Sequence, residues 1–322
     1  MNSKEIIMRE DVSCPLGCVT YDESILVGRD QIHNFYGEFK VVKCHSCGLM
    51  RTNSRPTPES IGGYYPDNYG PYLGTQVHHE KSTRSYTIKN LLRALANRVL
   101  NFHTQTLPPL APGRLLEVGC ASGSFLHQMS AAGWQVEGIE FSAKAAETAS
   151  KLGFHVHAGA LETAPKPEEP FDLIVGWMVL EHLHDPVGGL IKLREWAKSD
   201  AYLVLSVPNA GALSFRLFKE RWYDLHLPNH LYHFTPETLR QVLQAGGWTL
   251  EKVYHQRVLS NLVASSGYVL RDKGLFKLGQ SFINFPEYAG RWLTVLLYPI
   301  AWLLSLCGQT GRMTIWARKI SD

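Results

Sequence analysis

The chain has 322 residues, of which 45% are hydrophobic and 19% charged, a composition that suits a globular protein with a sizeable core. Its formal net charge of +3 comes without a sustained run of lysine or arginine, so nothing indicates a nucleic-acid partner. Residues 1–11 are polar and contain no apolar signal-peptide core. We therefore expect a cytoplasmic protein whose cysteines stay reduced.

Four of the six cysteines lie within the first fifty residues, in two closely spaced pairs. In a reducing compartment, thiol pairs at this spacing favour metal ligation, because a tight turn can aim both sulfurs at one tetrahedral ion. We predict a zinc-ribbon module over residues 1–55, followed by a turn-rich linker over 56–84. The predicted Zn²⁺ ligands are Cys14, Cys18, Cys44 and Cys47. Redox-active or merely packed cysteines are the alternatives.

The rest of the chain, residues 85–322, is predicted to form one α/β domain. Helical periodicity predicts a first helix over 85–107, and from Arg114 short apolar runs alternate with helical stretches. This alternation indicates βαβ units and a doubly wound parallel sheet of seven strands. Strands are predicted over 114–118, 135–140, 171–177, 201–207, 248–254 and 313–318, and helices over 124–132, 143–152, 186–198 and 235–246.

Before the last strand, an insert of helices is predicted over about 258–310. Residues 292–307 within it carry no charge and are interrupted by Pro299. The stretch is shorter than the ~20 residues that a spanning helix needs. We expect a buried helical hairpin or cap here, with peripheral contact to a membrane surface as the alternative.

A loop of small residues follows the first strand of this domain, over Glu117–Gly123. Gly119 and Gly123 can adopt backbone angles closed to other residues and let a ligand approach the main chain. The following helix N-terminus favours an anionic group. A phosphate-binding P-loop would need Gly-Lys-Ser/Thr at its end, and a dinucleotide fingerprint would need glycines at Ala121 and Ser124. An ordinary βα turn is the structural alternative.

The loop resembles the S-adenosylmethionine loop of class I methyltransferases, whose usual form is D/E-x-G-x-G-x-G. Ala121 replaces the middle glycine. Glu140 ends the next strand, where the family's acid holds the cofactor ribose, and Phe141 follows at a position that borders adenine. The family's Asp after the third strand is missing, so the backbone of Ala160 and Leu161 is predicted to take its place. The resemblance thus implies these cofactor-binding residues: Glu117, Gly119, Cys120, Ala121, Gly123, Glu140, Phe141, Ala160 and Leu161.

Further landmarks resemble the same family in the same order. Glu181-His182-Leu183 with Asp185-Pro186 resembles its "EHL…DP" stretch, and 230–236 resembles a block found in members with N-terminal cysteines. Those members belong to polysaccharide and secondary-metabolite clusters, and they share the C-x-x-C-G-L seen at 44–49. The resemblance implies a Rossmann-like methyltransferase fold and a small-molecule acceptor, with a sugar or glycan-precursor hydroxyl favoured.

Oxygen methylation needs a group that removes the acceptor proton, and histidine is suited to this near neutral pH. Histidines follow the fourth and fifth strands, on the side where doubly wound folds bind substrates. We select His230 as the general base and His182 as the second candidate; an ordinary structural hydrogen bond is the alternative for each. The spacing of His226, His230 and His233 could imitate a metal site, but Pro228 argues against the continuous helix that this would need.

We therefore predict an S-adenosylmethionine-dependent O-methyltransferase that carries a structural Zn²⁺. The first alternative is C- or N-methylation of another small molecule. The second is a non-catalytic adaptor that combines the zinc module with a degenerate cofactor fold. The sequence does not determine the oligomeric state.

Overall fold

The computed structural model describes residues 8–65, 100–288 and 291–320. Most of the helix predicted over 85–107 lies outside these ranges. Its described end, 100–107, is not helical, so the prediction is wrong there. Pro108 and Pro109 follow directly, and proline disfavours the helical region for the residue before it.

The described residues form thirteen strands, numbered in chain order. These are β1 (Arg9–Glu10), β2 (Asp22–Gly28), β3 (Phe39–Cys44), β4 (Met50–Thr52), β5 (Arg55–Pro56), β6 (Arg114–Val118), β7 (Gln135–Glu140), β8 (His155–Ala158), β9 (Phe171–Trp177), β10 (Ala197–Pro208), β11 (Tyr232–His233), β12 (Trp248–His255) and β13 (Arg312–Lys319).

Nine α-helices are described between these strands. They are α1 (Ser124–Ala131), α2 (Ala143–Lys151), α3 (Pro186–Trp196), α4 (Leu213–Phe218), α5 (Pro236–Ala245), α6 (Ser260–Asp272), α7 (Phe276–Ile283), α8 (Phe285–Tyr288) and α9 (Arg291–Leu306). Short 3₁₀ turns include Ile61–Tyr64, Leu161–Thr163 and Leu180–His182.

A seven-stranded sheet in the order β12-β13-β10-β9-β6-β7-β8 forms the centre of the molecule. Strands β6 to β10 pair in parallel, whereas β13 runs antiparallel to both β10 and β12. The order reverses at β6, the first strand of the domain, and this switch point is where open α/β sheets bind ligands. The doubly wound, Rossmann-like fold of class I methyltransferases is thereby confirmed.

Local sequence explains where the helices beside the site begin. Asp185 precedes Pro186 at the start of α3, and its carboxylate accepts the backbone N–H of Gly188 at 2.8 Å. Thr235 begins α5 with a capping box, again followed by proline. Such caps satisfy helix N–H groups that have no partner within the helix. The α3 helix ends at Trp196, two residues earlier than predicted, because β10 already begins at Ala197.

A second sheet joins the N-terminal module to the α/β domain. Its order is β11-β4-β3-β2, so a strand from residues 232–233 completes the sheet of the cysteine module. Thr52 N–H also donates to Leu231 O at 2.9 Å. One hydrophobic cluster contains Phe39 and Leu49 of the module together with residues of the large sheet. The two parts therefore share a core, while the bounds 1–55, 56–84 and 85–322 stay a prediction.

The predicted insert contains four helices, α6 to α9, between β12 and β13. Residues 292–307 do not form a buried hairpin, which corrects that expectation. They form most of the single helix α9, which contains Pro299 and has large apolar side chains exposed on one face. Within the described ranges, no helix combines the length and apolar character required to cross a bilayer.

Candidate active site

The loop between β6 and α1 has the backbone that the glycine pattern predicts. Gly119 and Gly123 have φ values of +73° and +82°, which L side chains rarely adopt. A Cβ on Gly119 would lie 2.6 Å from Val179 Cγ2, and one on Gly123 would lie 3.0 Å from Ala149 Cβ. Glycine is therefore required at both positions for the strand to turn closely into the helix.

Glu140, at the end of β7, is held against this loop. Its Oε2 accepts the backbone N–H of Ala121 at 2.8 Å, and its Oε1 accepts that of Ser142 at 2.7 Å. The side chain is 4% exposed. Burial raises the pKa of Glu140, whereas the backbone hydrogen bonds oppose that shift. Each carboxylate oxygen keeps a second lone pair, so this fixed carboxylate can still accept hydroxyl groups.

Glu117 lies beside Glu140 and is only partly satisfied among the described residues. It is 3% exposed, and its Oε2 has no hydrogen-bond partner in that part of the chain. Burial, with a contribution from Glu140, raises the pKa of Glu117 well above its usual range. Two buried carboxyl groups at one loop are costly without a cationic or hydrogen-bond-donating ligand. S-adenosylmethionine fits this chemistry, since it combines a ribose with a positively charged sulfonium and an α-ammonium group.

The remaining predicted cofactor residues lie close to this pair. Gly159 N–H donates to Glu140 O at 2.8 Å, which places the turn of Ala160 and Leu161 next to Glu140. Phe141 is 46% exposed and presents its ring to Tyr65, with 5.9 Å between the ring centroids. Cys120 differs in that its thiol points into the core, where a Cβ on Gly138 would lie 2.6 Å from Cys120 Sγ. We call residues 117–123, 140–141 and 160–161 together the cofactor half.

The predicted bases lie together beyond the ends of β9 and β10. The ring centroids of His182 and His230 are 4.7 Å apart, and those of His226 and His230 are 4.9 Å apart. His233 contacts Thr52 through its Nε2 at 3.3 Å. We call Glu181, His182, His226, His230 and His233 the histidine wall. The continuous helix that a helical metal motif would need is absent, because 226–233 contains the short strand β11 and no helix.

Hydrogen bonds define which ring nitrogens of the two candidate bases carry protons. His230 Nδ1 lies 2.7 Å from Asp224 O, and His182 Nδ1 lies 2.9 Å from Asn229 O. A backbone carbonyl only accepts, so both Nδ1 atoms donate. Each neutral ring therefore keeps its lone pair on Nε2, the atom that could accept a proton.

Burial lowers the pKa of every histidine in the wall. It lowers the pKa of His182 to about 4, and the pKa of His226 and His233 to about 3. The pKa of His230 lies well below its usual value, through burial and then through the positive charge that His182 or His226 would carry. At neutral pH all four rings are uncharged.

Glu181 is a member of the wall that was not selected from the sequence as a site residue. Its side chain is fully buried, and neither carboxylate oxygen has a hydrogen-bond partner among the described residues. Burial raises the pKa of Glu181 to about 8, so the neutral acid predominates at pH 7. Glu181, His182 and His230 each bring one polar atom to within 4.8 Å of the others. That spacing would also suit a cation, but no further feature requires one.

The N-terminal module and the segment just after it supply contacts to this wall and to the neighbouring His184 that the sequence did not predict. Tyr65 Oη lies 2.8 Å from His182 Nδ1, and Thr52 Oγ1 donates to His230 O at 2.8 Å. Arg55 Nη1 donates to His184 O at 2.8 Å. These pairs are separated by 117 to 178 residues in sequence. No sequence motif predicts contacts between residues so far apart in the chain, because periodicity and spacing describe only neighbouring residues.

The four predicted metal ligands converge at one point of the module. The sulfur atoms of Cys14, Cys18, Cys44 and Cys47 all lie within 4.8 Å of one another. Two tight turns bring them there, because Gly17 N–H donates to Cys14 O at 3.0 Å and Gly48 N–H donates to Cys44 O at 2.9 Å. This is the ligand set of a closed tetrahedral zinc site.

The electrostatics of the cluster also fit a dication. Burial raises the pKa of Cys14, and it raises that of Cys47 with a further contribution from Cys14. For Cys44 the effect of burial is outweighed by backbone hydrogen bonds near Cys47, and its pKa falls to about 6. Four adjacent thiolates repel one another, so full ionisation requires a bound cation such as Zn²⁺.

Comparisons with known proteins agree with this architecture. Residues 86–253, just over half of the chain, match the family described as "Methyltransferase domain". The chain is 32% identical over 108 residues to the ubiquinone biosynthesis O-methyltransferase of Aromatoleum aromaticum, covering 31% of this chain and 46% of that protein. It is 26% identical over 169 residues to the mitochondrial ubiquinone biosynthesis O-methyltransferase of Schizosaccharomyces pombe, covering 49% and 56%. The chain thus spans about half the length of these curated relatives.

Solved structures show more distant likenesses. The [4+2]-cyclase SpnF is 17% identical, with a TM-score of 0.49, and the alignment covers 83% of this chain and 98% of that one. An S-adenosylmethionine-dependent methyltransferase from Mesorhizobium loti is 16% identical, with a TM-score of 0.44 and coverage of 70% and 96%. The TM-scores of both structures lie below 0.5. Membership of the family depends instead on the sheet order and on the family match.

Proposed function

The chain belongs to the methyltransferase-domain family, and we propose that it transfers a methyl group from S-adenosylmethionine to a hydroxyl group of a small molecule. The observation that carries this proposal is the fixed, buried Glu140 carboxylate beside the Gly119–Gly123 turn, with the Tyr65 ring contacting both Phe141 and His182 of the neutral histidine wall. The cofactor supplies an electrophilic methyl group on a sulfonium. The residues of the chain then have to orient the reactants and manage one proton.

The cofactor half is suited to binding rather than to chemistry. Glu140 accepts ribose hydroxyls while the backbone of Ala121 and Ser142 keeps its carboxylate in place. Glu117 offers an unsatisfied carboxylate oxygen to a cationic group. The backbone turn at Ala160 and Leu161 replaces the missing acid beside the adenine, and Phe141 borders the same region.

The histidine wall supplies the base. His230 is neutral, is oriented by its Nδ1–H bond to Asp224 O, and keeps the Nε2 lone pair for the acceptor proton. His182 is the second candidate, with the same tautomer. A positioned base of this kind contributes about 10²–10⁴-fold to a rate. One proton moves from the acceptor hydroxyl to Nε2 as the oxygen takes the methyl group.

The acceptor class is the least constrained part of the proposal. The resemblance of the cysteine module and of residues 230–236 to polysaccharide-cluster enzymes favours a sugar or glycan-precursor hydroxyl. The two curated relatives described above are named for O-methylation in ubiquinone biosynthesis. That name supports oxygen as the acceptor atom, and it adds a hydroxyl of a ubiquinone-biosynthesis intermediate as a second acceptor class without supporting the sugar.

Two other functions remain as alternatives. Methylation of carbon or nitrogen would use the same cofactor half with a different acceptor. A non-catalytic adaptor would retain the fold and the zinc module without binding cofactor. The intact turn at Gly119 and Gly123 and the ordered Glu140 speak against the adaptor.

Calorimetric titration with S-adenosylmethionine and S-adenosylhomocysteine tests the proposal first. Micromolar binding is expected, and radiolabelled methyl transfer should then be measured to sugar nucleotides and to catechols. Labelled ether formation with either acceptor class supports O-methylation and identifies the class. If folded, zinc-loaded protein binds neither cofactor form, the methyltransferase proposal fails and the adaptor is favoured.

A further inference from the structure

The helix α9 turns an apolar face toward solvent. Its exposed residues are Val295, Leu296, Pro299, Ile300, Trp302, Leu303 and Leu306. Their spacing at three and four residues places them on one side of the helix. Ala301, on the opposite side, is 1% exposed. The helix therefore packs on the protein through its back and leaves a continuous hydrophobic stripe uncovered.

This stripe lacks the polar residues that ordinarily solubilise an outer helix face. Residues 292–311 contain no Asp, Glu, Lys or Arg. Leu296 is 66% exposed, Leu303 57% and Leu306 62%. Contiguous apolar surface of this kind marks an interaction site, because isolated exposed apolar residues are common but whole faces are not.

The charged side chains that hydrogen-bond to α9 or to the residues just after it, in the part of the chain that the structure describes, are arginines. Arg257 Nη1 donates to Tyr298 Oη at 3.1 Å near the middle of α9, and Arg216 Nη2 donates to Gln309 Oε1 at 2.5 Å just beyond its end. Within the described ranges, no carboxylate forms a hydrogen bond to α9. An apolar stripe bordered by arginines is complementary to anionic lipid headgroups above hydrocarbon.

A second copy of the chain is a weaker occupant for this face. A helix of 16 residues is about 24 Å long, so one face of it offers on the order of a few hundred Å². A standard stable protein interface buries about 800 Å² on each partner. A helix in the plane of a bilayer needs no such area of matched protein surface, since lipid adapts to its shape.

We propose that α9 is a membrane-docking helix that lies in the interface of an anionic bilayer, with Leu296, Ile300 and Leu303 inserted and Arg216 and Arg257 near the phosphates. The helix is too short to span hydrocarbon, which requires about 20 residues. Docking would hold the domain at a lipid surface through the insert, with Arg216 of α4 adding a contact from outside it.

Vesicle co-sedimentation of the full-length protein tests this docking. The probes are vesicles of phosphatidylcholine and vesicles in which one quarter of that lipid is phosphatidylglycerol. We expect binding to the anionic vesicles, weaker binding to the neutral ones, and at least a tenfold loss in a Leu296→Glu/Leu303→Glu variant. Ile191→Glu is the matched control, since Ile191 is 43% exposed on α3, and it should bind like the wild type.

Two further measurements keep the test decisive if the double variant is poorly folded. Leu303→Gln is a milder change whose effect should have the same direction, and Arg216→Gln should weaken binding only to the anionic vesicles. The proposal is overturned if the wild-type protein binds neither vesicle type. It is also overturned if the glutamate variants bind as well as the wild type. A wild-type dimer that the same variants convert to monomer, without vesicle binding, would instead assign the face to a second copy. Methyl transfer is not measured in any arm, so a negative result leaves the proposed reaction untouched.

Discussion

The cofactor half and the histidine wall lie on the same edge of one sheet, yet they are assembled in different ways. The cofactor half comes from residues within about 45 positions of each other, along β6, β7 and β8. The wall joins residues after β9 and β10 to Thr52 of the N-terminal module and to Tyr65 in the segment that follows it. In this fold the proposed cofactor site is therefore built from residues near one another in the chain, whereas the proposed base depends on long-range contacts.

Both regions contain buried groups whose charged forms are disfavoured. Buried acids in the cofactor half and at Glu181 have raised pKa values, whereas the histidines have lowered ones. In both regions burial has the largest effect. Each region favours its neutral form, and a ligand with the complementary charge or a transferable proton would relieve that cost.

Acidification is expected to give the largest effect, through the wall. The unfolded chain protonates its histidines near pH 6.5, whereas His182 protonates at about 4 and His226 and His233 at about 3 when folded. The histidines therefore do not reduce the free energy of unfolding above pH 6.5, and they reduce it progressively as the pH falls toward their folded pKa values. Each histidine costs about 1.4 kcal/mol per pH unit while only the unfolded chain protonates it, so the four together cost about 5 kcal/mol per unit between about pH 6 and pH 4.5.

The buried carboxyl groups change the free energy of unfolding in the opposite direction with pH. A carboxyl whose folded pKa is raised, such as Glu181 at about 8, contributes stability below 4.5 that is lost as the pH rises toward 8. The free energy of unfolding in urea should thus be greatest near pH 6.5, with a shallow fall to pH 8. Glu181→Gln should flatten the alkaline side, and His226→Asn should reduce the acidic loss. A maximum at pH 4.5 would contradict both assignments.

Removal of the proposed base should separate the two regions most clearly in activity. His230→Gln is expected to lower kcat by about 10²–10⁴-fold, because the acceptor proton loses its base, while the Kd for S-adenosylhomocysteine changes less than threefold. The kcat/KM profile of the wild type should show no acid limb near pH 6.5, since the pKa of His230 lies well below that value. His182→Gln, measured alongside, decides between the two candidates: the larger loss of kcat identifies the base.

Glu140→Ala should produce the reverse pattern. Loss of the carboxylate removes two hydrogen bonds to ribose hydroxyls, and hydrogen bonds to charged groups are worth about 1.5–3 kcal/mol each. We expect a rise of about 10²- to 10⁴-fold in the calorimetric Kd for S-adenosylhomocysteine. Glu140→Gln is the control for shape and should lose less. An unchanged Kd in the alanine variant would remove Glu140 from the cofactor half.

Disruption of the cysteine cluster should give the smallest effect, and it should affect one region only. In Cys47→Ser, zinc content should fall, and hydrogen exchange should increase at 50–52 and 230–233, because β4 and β11 share a ladder. We expect kcat to fall by about tenfold while the Kd for cofactor stays within threefold. Equal damage to kcat and to the Kd would show that the module supports the whole core and not the wall in particular.

Much of this architecture could be predicted from neighbouring residues. The glycine turn, the acid at the end of β7, the strand pattern and the cysteine pairs are all short-range signals, and the structure places each where periodicity or spacing predicts it. The helix predicted over 100–107 and the buried hairpin at 292–307 were wrong. Both predictions depend on an apolar pattern. Such a pattern does not show which surface of the protein a segment packs against.

Residues close together in the chain predict the fold class, the proposed metal ligands and the proposed cofactor half, because backbone angles, strand order and ligand spacing depend on neighbouring residues. Only the tertiary structure decided that the module and the domain share a sheet, that Tyr65 and Thr52 hold the histidines, and that Glu181 lies unsatisfied among them. It also decided that α9 faces outward. These features depend on which surfaces of the chain pack together in the folded protein. The burial that lowers the pKa values of the histidines in the wall arises only from that packing.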